Sequence, residues 1–251
     1  MQYLRHIELL RDRIDDPGVY PFTIPAIRGL DTLAFPTSVT FFVGENGSGK
    51  STLIEAIAVL MGFNPEGGSR NFGFSTRDST SELCDFLRPA RGTRRPKDGF
   101  FLRAESYFNL ATEIERLDEG GGGPPIIDGF GGVSLHEQSH GESFMALASN
   151  RLRGSGLYIF DEPEAALSPQ RQLELLAIMH RLAESQDSQF IIATHSPILM
   201  GYPGATIFCF GRSGVEQVEY EETEHVIVTK GFLNKRKSML KELLRESEEE
   251  L

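Results

Sequence analysis

The chain has 251 residues, enough to bury one substantial core, and is expected to be a single α/β domain with subdomains. Its 25 Lys and Arg stand against 36 Asp and Glu, a formal net charge of -11, so the molecule as a whole repels nucleic acid and anionic membrane unless basic residues cluster locally. The two cysteines, Cys84 and Cys209, lie far apart with no metal-ligand spacing near them; they suit a reducing compartment, read as two buried thiols and leave no disulfide framework to infer.

Taken in chain order, the first segment, MQYLRHIELLRDRIDD, is interrupted by charge every few residues, and no later apolar run approaches the roughly 20 residues of a membrane span. A soluble, cytoplasmic protein is therefore expected. The stretch VYPFTIP, residues 19 to 25, reads as core and edge strand. Short runs rich in β-branched and aromatic residues then recur as VTFFV (39 to 43), GFFLRAES (99 to 106), GLYIF (156 to 160), QFIIAT (189 to 194) and ATIFCF (205 to 210), each a buried strand by composition. Between them lie helical stretches at Lys50 to Met61, Glu142 to Leu152 and Pro169 to Ser185, the last opened by Ser168 as a cap and Pro169 in the first turn. Strands alternating with helices predict a mainly parallel, helix-flanked sheet. Residues 64 to 98 and 118 to 134, the latter with EGGGGPP and DGFGG, interrupt the alternation as insertions or mobile loops. The segment from Gly214 to Glu246 predicts a strand pair and a closing helix, and the last residues, ESEEEL, a frayed acidic helix end.

Three motifs carry chemistry. GENGSGKST, residues 44 to 52, fits G-x-x-x-x-G-K-[ST] directly after a predicted strand and before a predicted helix, the context a phosphate-binding loop requires. Gly44, Gly47 and Gly49 let the backbone wrap so that N–H groups converge on phosphates at a helix N-terminus; Asn46, Ser48 and Thr52 complete the candidate loop. Lys50 is placed to reach the β- and γ-phosphates, and the Ser51 hydroxyl to coordinate Mg²⁺. LYIFDEPE ends a buried strand in Asp161, a candidate Mg²⁺ ligand, and Glu162, placed to polarise an attacking water. In FIIATHSP, His195 follows a further apolar strand, where a lone histidine is ordinarily a packed or capped residue.

With the three in this order, the chain resembles the ABC-type ATPases, specifically small stand-alone AAA-annotated ATPases that carry ABC motifs. The resemblance spans about residues 39 to 210. It implies a P-loop NTPase fold of the ABC type, with an added antiparallel β part and short insertions near 64–98 and 107–138 in one domain of residues 1–251. It implies ATP and Mg²⁺ as ligands, His195 as the switch histidine at the γ-phosphate, and a homodimer formed on ATP binding. SHGES, residues 139 to 143, occupies the place of the ABC signature: Ser139 and the Gly141 N–H, at the positive end of a helix, would meet the γ-phosphate held by a second protomer. Gln138 and His140 depart from the usual signature residues. Glu105 is the counterpart of the Q-loop glutamine and a third candidate Mg²⁺ ligand. AALS, residues 165 to 168, stands for the D-loop without its aspartate, and Tyr20 or Phe22 for the aromatic that stacks on adenine.

What ATP turnover would move is open among three classes. A transporter subunit needs a helical subdomain, and only 33 residues separate Glu105 from Ser139. A DNA-repair relative lacks its long coiled coil here and would be head-only. A nucleotide-controlled switch on an unidentified protein partner makes no demand the sequence fails to meet. RPARGTRRPK, residues 88 to 97, five of them basic, reads as an exposed irregular segment and a candidate contact for nucleic-acid phosphates. YEETEH, residues 220 to 225, reads as a solvated strand edge.

Overall fold

Runs without polar alternation build the centre of the molecule. The computed structural model describes residues 2–69, 82–103, 112, 114–118, 125–134, 137–185 and 187–246. Its strands are β1 (Leu4–Leu9), β2 (Thr32–Ala34), β3 (Val39–Gly44), β4 (Leu87–Arg91), β5 (Asp98–Arg103), β6 (Gly156–Asp161), β7 (Gln189–Ala193), β8 (Thr206–Gly211) and β9 (Gly214–Val218). The helices are α1 (Pro25–Arg28), α2 (Lys50–Leu60), α3 (His140–Asn150), α4 (Pro169–Ser185) and α5 (Glu224–Glu246).

Among the described residues the larger sheet has the order β5-β6-β7-β3-β8-β9, parallel except for the β8–β9 hairpin. Every residue of β3, β6 and β7 is buried because both faces are covered, which is why they read as continuous apolar runs. Successive side chains still point to opposite faces. Val39, Phe41, Val43, Tyr158 and Phe160 join the core beneath α3 and α4, whereas Phe42, Leu157 and Ile159 join the core around α2. Phe160 lies 6.2 Å from the Phe144 ring of α3 and 6.0 Å from Phe190 of β7, and truncating such a residue to alanine costs about 3–5 kcal/mol.

The smaller sheet, β2-β1-β4, is antiparallel and packs over α2. Gln189 ties it to the larger sheet. Its fully buried amide accepts from the N–H groups of Tyr3 and Leu4 at 2.8 and 2.9 Å and donates to the Leu4 carbonyl at 2.8 Å.

Several expectations are corrected. Residues 64 to 98 are not a plain insertion: Glu82–Phe86 form a 3₁₀ turn and Leu87–Arg91 the strand β4. The basic run is thus half strand, with Arg88 on Glu8 at 2.5 Å, Arg91 donating to the Leu60 carbonyl at 3.2 Å and Arg94 3.5 Å from Asp187. The described part of the Gly-rich stretch is packed rather than loose. Phe130 is buried 6.4 Å from the Phe100 ring, and Asp118 accepts the N–H groups of Ile126 and Ile127.

VYPFTIP is no edge strand: Val19 to Thr23 form a turn that leads into α1. The expected C-terminal strand pair is a single strand, β9. The run Val226–Val228 lies in the first turns of α5, since the Thr223 carbonyl accepts the N–H groups of Val226 and Ile227 and only Val226 of the three is buried. YEETEH is accordingly a 3₁₀ turn and a helix start, not a strand edge. The helix α3 begins two residues earlier than expected because Ser139 and Glu142 form a reciprocal capping box.

Candidate functional site

The loop after β3 makes its turn through glycines. Gly44 has φ 136°, where a Cβ would run into the Phe210 carbonyl, and Gly49 has φ 100°, where a Cβ would sit 2.7 Å from the Ile24 side chain. The chain then enters α2 at Lys50. The Lys50 ammonium is almost fully buried and donates to the carbonyls of Gly44 and Glu45, each at 2.9 Å. Burial holds its pKa below the usual lysine value, against the opposing pull of Glu162, Asp161 and Glu164. Ser51, one residue on, donates its hydroxyl to Asp161 at 3.1 Å across 110 residues of sequence.

This meeting follows from strand order. The strands β6, β7 and β3 are parallel neighbours, so their carboxyl ends share one edge of the sheet. Asp161 is the last residue of β6. Glu162 follows in a left-handed conformation, φ 53° and ψ 52°, its N–H donating to the Ala193 carbonyl of β7 at 2.9 Å. His195 lies just past β7. Its N–H donates to Glu164 at 2.5 Å, its Nε2 is 3.4 Å from a Glu162 carboxylate oxygen, and its Nδ1 is 2.8 Å from Nε2 of His225. Burial, and then the Lys50 charge, hold both imidazoles below the ordinary histidine pKa. Burial raises Glu164 above the usual carboxylate value, opposed by the N–H groups it accepts.

Lys50, Ser51, Asp161, Glu162 and His195 are therefore brought together. Gly44, Asn46, Gly47 and Ser48 line an adjoining cavity of about 490 Å³ together with Cys209 and His225. Thr52 joins through its hydroxyl, 3.2 Å from that of Tyr20. Tyr20 is 65% exposed beside the loop, while Phe22 is core, edge-on to Phe86 at 5.0 Å. Ser139 and Gly141 do not join this cluster. Ser139 is the exposed cap of α3 and bonds Glu142, whereas Gly141 is half-buried, and a Cβ on it would lie 2.9 Å from the Ala166 carbonyl and 2.7 Å from Arg171. Glu105 lies outside the described residues.

The sequence reading missed three neighbours of the cluster. Glu164 anchors the His195 backbone; Arg103, at the end of β5, pairs with Glu55 at 2.6 Å and stands 3.8 Å from Asp161; His225 contacts His195. Glu164 lies within LYIFDEPE, in the 3₁₀ turn after β6, and Arg103 ends β5, placements that could have found them. His225 has no such signal.

The donor set fits a phosphate-bound Mg²⁺. Ser51 and Asp161 offer two oxygens in mutual contact, and Mg²⁺ is ordinarily held by one or two protein oxygens together with substrate phosphates and water. No trio of His, Cys, Asp or Glu converges on a metal among the described residues, and such an ion needs none. Also among the described residues, Ser48 Oγ and His195 Nε2 are buried without a hydrogen-bond partner, as groups awaiting an acceptor-rich ligand would be.

Comparison with known proteins accords with this geometry. A family model described as "AAA domain, putative AbiEii toxin, Type IV TA system" matches residues 127–201, and an AAA domain model matches residues 23–112. The L-cystine transport system ATP-binding protein TcyN of Escherichia coli K12 is 27% identical over 191 residues, 67% of this chain and 74% of that protein. The ribose import ATP-binding protein RbsA of Yersinia pestis is 28% identical over 177 residues, 63% of this chain but only 34% of that protein's length. Among solved structures, an ATP-binding cassette of an ABC transporter superposes with TM-score 0.51 at 17% identity, over 93% of this chain and 98% of its own. A structure described as "an inward-facing conformation of a putative metal-chelate type ABC transporter" superposes with TM-score 0.50 at 16% identity, over 91% and 88% of the respective chains. Among the described residues no helix is long and apolar enough to cross a membrane.

Proposed function

We propose that this chain, an ATP-hydrolysing member of the ABC-type ATPase superfamily, works in the cytoplasm as a homodimer that closes on two ATP molecules and reopens after hydrolysis, switching a partner protein. One observation carries the reading: Lys50, the Ser51–Asp161 pair, Glu162 and His195 converge at the carboxyl ends of three adjacent parallel strands. In this reading Lys50 and the amides of residues 44 to 52 bind the phosphates, and Tyr20 stacks on the base. Ser51 and Asp161 hold Mg²⁺, which when bound spreads the charge of the β- and γ-phosphates. Glu162 accepts the proton of the attacking water and His195 donates to the γ-phosphate. Ser139, exposed at the start of α3, and the half-buried Gly141, neither of them joined to the cluster around Lys50, would complete the partner protomer's site.

Two variants test the scheme. Glu162→Gln keeps the binding groups and removes the base, so it should bind ATP with unchanged affinity, hydrolyse about 10²- to 10⁴-fold more slowly and accumulate as a dimer in sedimentation analysis. Mixing Lys50→Ala chains with Ser139→Arg chains leaves heterodimers with one doubly spoiled and one intact site. Recovery of ATP-dependent dimerisation or turnover that neither parent shows supports shared sites; a monomeric Glu162→Gln–ATP complex refutes the dimer.

The partner is read as a protein. The family description as a type IV toxin–antitoxin component favours a stress or defence switch. The names of the transport relatives favour a second reading, an ATP-binding subunit on a membrane partner, which co-purification of this chain with a membrane protein would support. The basic run from Arg88 to Lys97 supports a further contact with nucleic-acid phosphates.

A further inference from the structure

His195 and His225 are 30 residues apart, one just past β7 and the other in the first turn of α5, yet Nδ1 of His195 lies 2.8 Å from Nε2 of His225, with ring centroids 4.9 Å apart and planes at 61°. Two imidazole nitrogens at that separation share one proton: one is an N–H, the other a lone pair. A neutral imidazole carries a single N–H, so the choice made at this contact decides what the opposite nitrogen of His195 presents.

That opposite nitrogen, Nε2, is buried, 3.4 Å from the Glu162 carboxylate and without a hydrogen-bond partner among the described residues. If Nδ1 of His195 held the proton, Nε2 would point a lone pair at a carboxylate and at an arriving phosphate oxygen, a repulsive arrangement. If the proton belongs to His225, Nδ1 accepts it and Nε2 becomes an N–H donor where anions gather.

We propose that His225, through its Nε2–H, holds His195 in the Nε2-protonated tautomer and so acts as a positioning residue for the γ-phosphate contact. The proposal rests on the reading of His195 given above. The surroundings suit it: burial, and then the Lys50 charge, hold both imidazoles below the ordinary histidine pKa, Glu224 adjoins His225, Glu164 accepts the His195 N–H with Glu162 facing its Nε2, and Glu45, Cys209 and Arg212 line the cavity beside His225. Acid undoes the arrangement, because two imidazolium rings would oppose N–H to N–H.

The tautomer is measurable without turnover. In the 251-residue chain labelled with ¹⁵N-histidine, six histidines give the ring signals, and those of His195 are assigned by their loss in His195→Gln. The expected result is an Nε2-protonated His195 in the wild type, a mixture or the opposite tautomer in His225→Ala, and restoration in His225→Gln, whose amide N–H replaces the donor. In ATP hydrolysis, kcat should fall about 10- to 100-fold in His225→Ala with KM little changed, and recover largely in His225→Gln. A wild-type His195 protonated on Nδ1, or one unchanged by His225→Ala, overturns the proposal. Should His225→Ala fail to fold, the wild-type and His225→Gln spectra still decide it. Wild-type turnover by His195→Gln would instead sink the γ-phosphate reading and leave the tautomer result standing by itself.

Discussion

Glu162 is held in a conformation its residue type disfavours. At φ 53° and ψ 52° its Cβ crowds the following carbonyl, a strain of about 1–2 kcal/mol for an L-residue that glycine escapes. The position is fixed from both sides, the N–H on the Ala193 carbonyl at 2.9 Å and the carbonyl accepting from Ala165 at 3.1 Å, so the strain cannot relax. Comparing Glu162→Ala with Glu162→Gly isolates this term, since both lose the carboxylate and only one loses the Cβ. Glycine gives up about 0.5–1 kcal/mol through its freer unfolded chain, which leaves it more stable than alanine by roughly 0–1.5 kcal/mol. For a chain of this size that is a melting temperature higher by up to about 6 °C. The side chain itself is 40% exposed, so little packing is lost in either variant. Thermal unfolding followed by circular dichroism, beside a phosphate-release assay, reads both halves: glycine above alanine in stability, and both slower in hydrolysis by about 10²- to 10⁴-fold. Glycine below alanine would refute strain at this site, and near-normal turnover in either would remove Glu162 from its proposed role as base. The combination of strain and chemistry at one residue is the reason to expect a trade of stability for activity there.

Tyr20→Ala should weaken ATP binding by about 1–3 kcal/mol if the ring stacks on adenine, whereas Tyr20→Phe should lose little beyond the contact with Thr52; fluorescence titration with ATP and with a triphosphate lacking the base separates stacking from phosphate binding. For Arg88 to Lys97, Glu162→Gln protein with ATP should bind DNA or RNA in fluorescence anisotropy at about 50 mM salt and far more weakly at about 200 mM. Replacing Arg91, Arg94 and Arg95 by Ser should abolish that binding and leave ATP binding unchanged; a triple variant that binds like its parent, or no binding at low salt, returns the segment to a structural role.

The pKa directions predict a pH dependence of stability. His195 and His225 bind protons less readily folded than unfolded, so stability is fully present above about pH 6.5, the unfolded value, and is lost as pH falls below it. The raised pKa of Glu164 works the other way at lower pH, because its folded form favours the proton. Urea unfolding at pH 7.5 and 5.5 should show a lower free energy at 5.5 and a smaller difference in His225→Gln; identical curves would refute the assignment.

What was legible in the sequence divides along physical lines. The strands β3, β6 and β7 are buried on both faces, so continuous apolar runs announced them, and the loop at residues 44 to 52 is local chemistry at fixed spacing. The sheet β2-β1-β4 was not legible. LRHIEL mixes charge into a strand, and LRPAR carries Pro89, tolerable because β4 is an edge strand of that sheet. The apolar β-branched Val226–Val228 suggested a strand by propensity, but the fold asks only Val226 to be buried, and the helix prevails. His225 was invisible for a stronger reason: it has no local pattern, only a tertiary contact with a residue 30 positions away.

In the proposed dimer, the two half-sites that one chain would contribute are packed against each other. Glu162 leads directly into the 3₁₀ turn Pro163–Ala166, and the backbone of Gly141 lies so close to that turn that a Cβ there would come within 2.9 Å of the Ala166 carbonyl. Arg171, in the first turn of α4, also crowds Gly141 and lies 3.6 Å from Glu142. The base that would serve one nucleotide and the signature residues that would serve another are thus separated by a single short turn with no room for slack. Displacing Ser139 and Gly141 by docking on a partner's phosphate would press on residues 163 to 166, to which Glu162 is covalently bound and from which Glu164 holds the His195 N–H. In the proposed dimer, with Ser168 just past that turn in place of the aspartate the resemblance implies, the close packing of Gly141 on the Ala166 carbonyl would be the remaining route by which one site could act on the other.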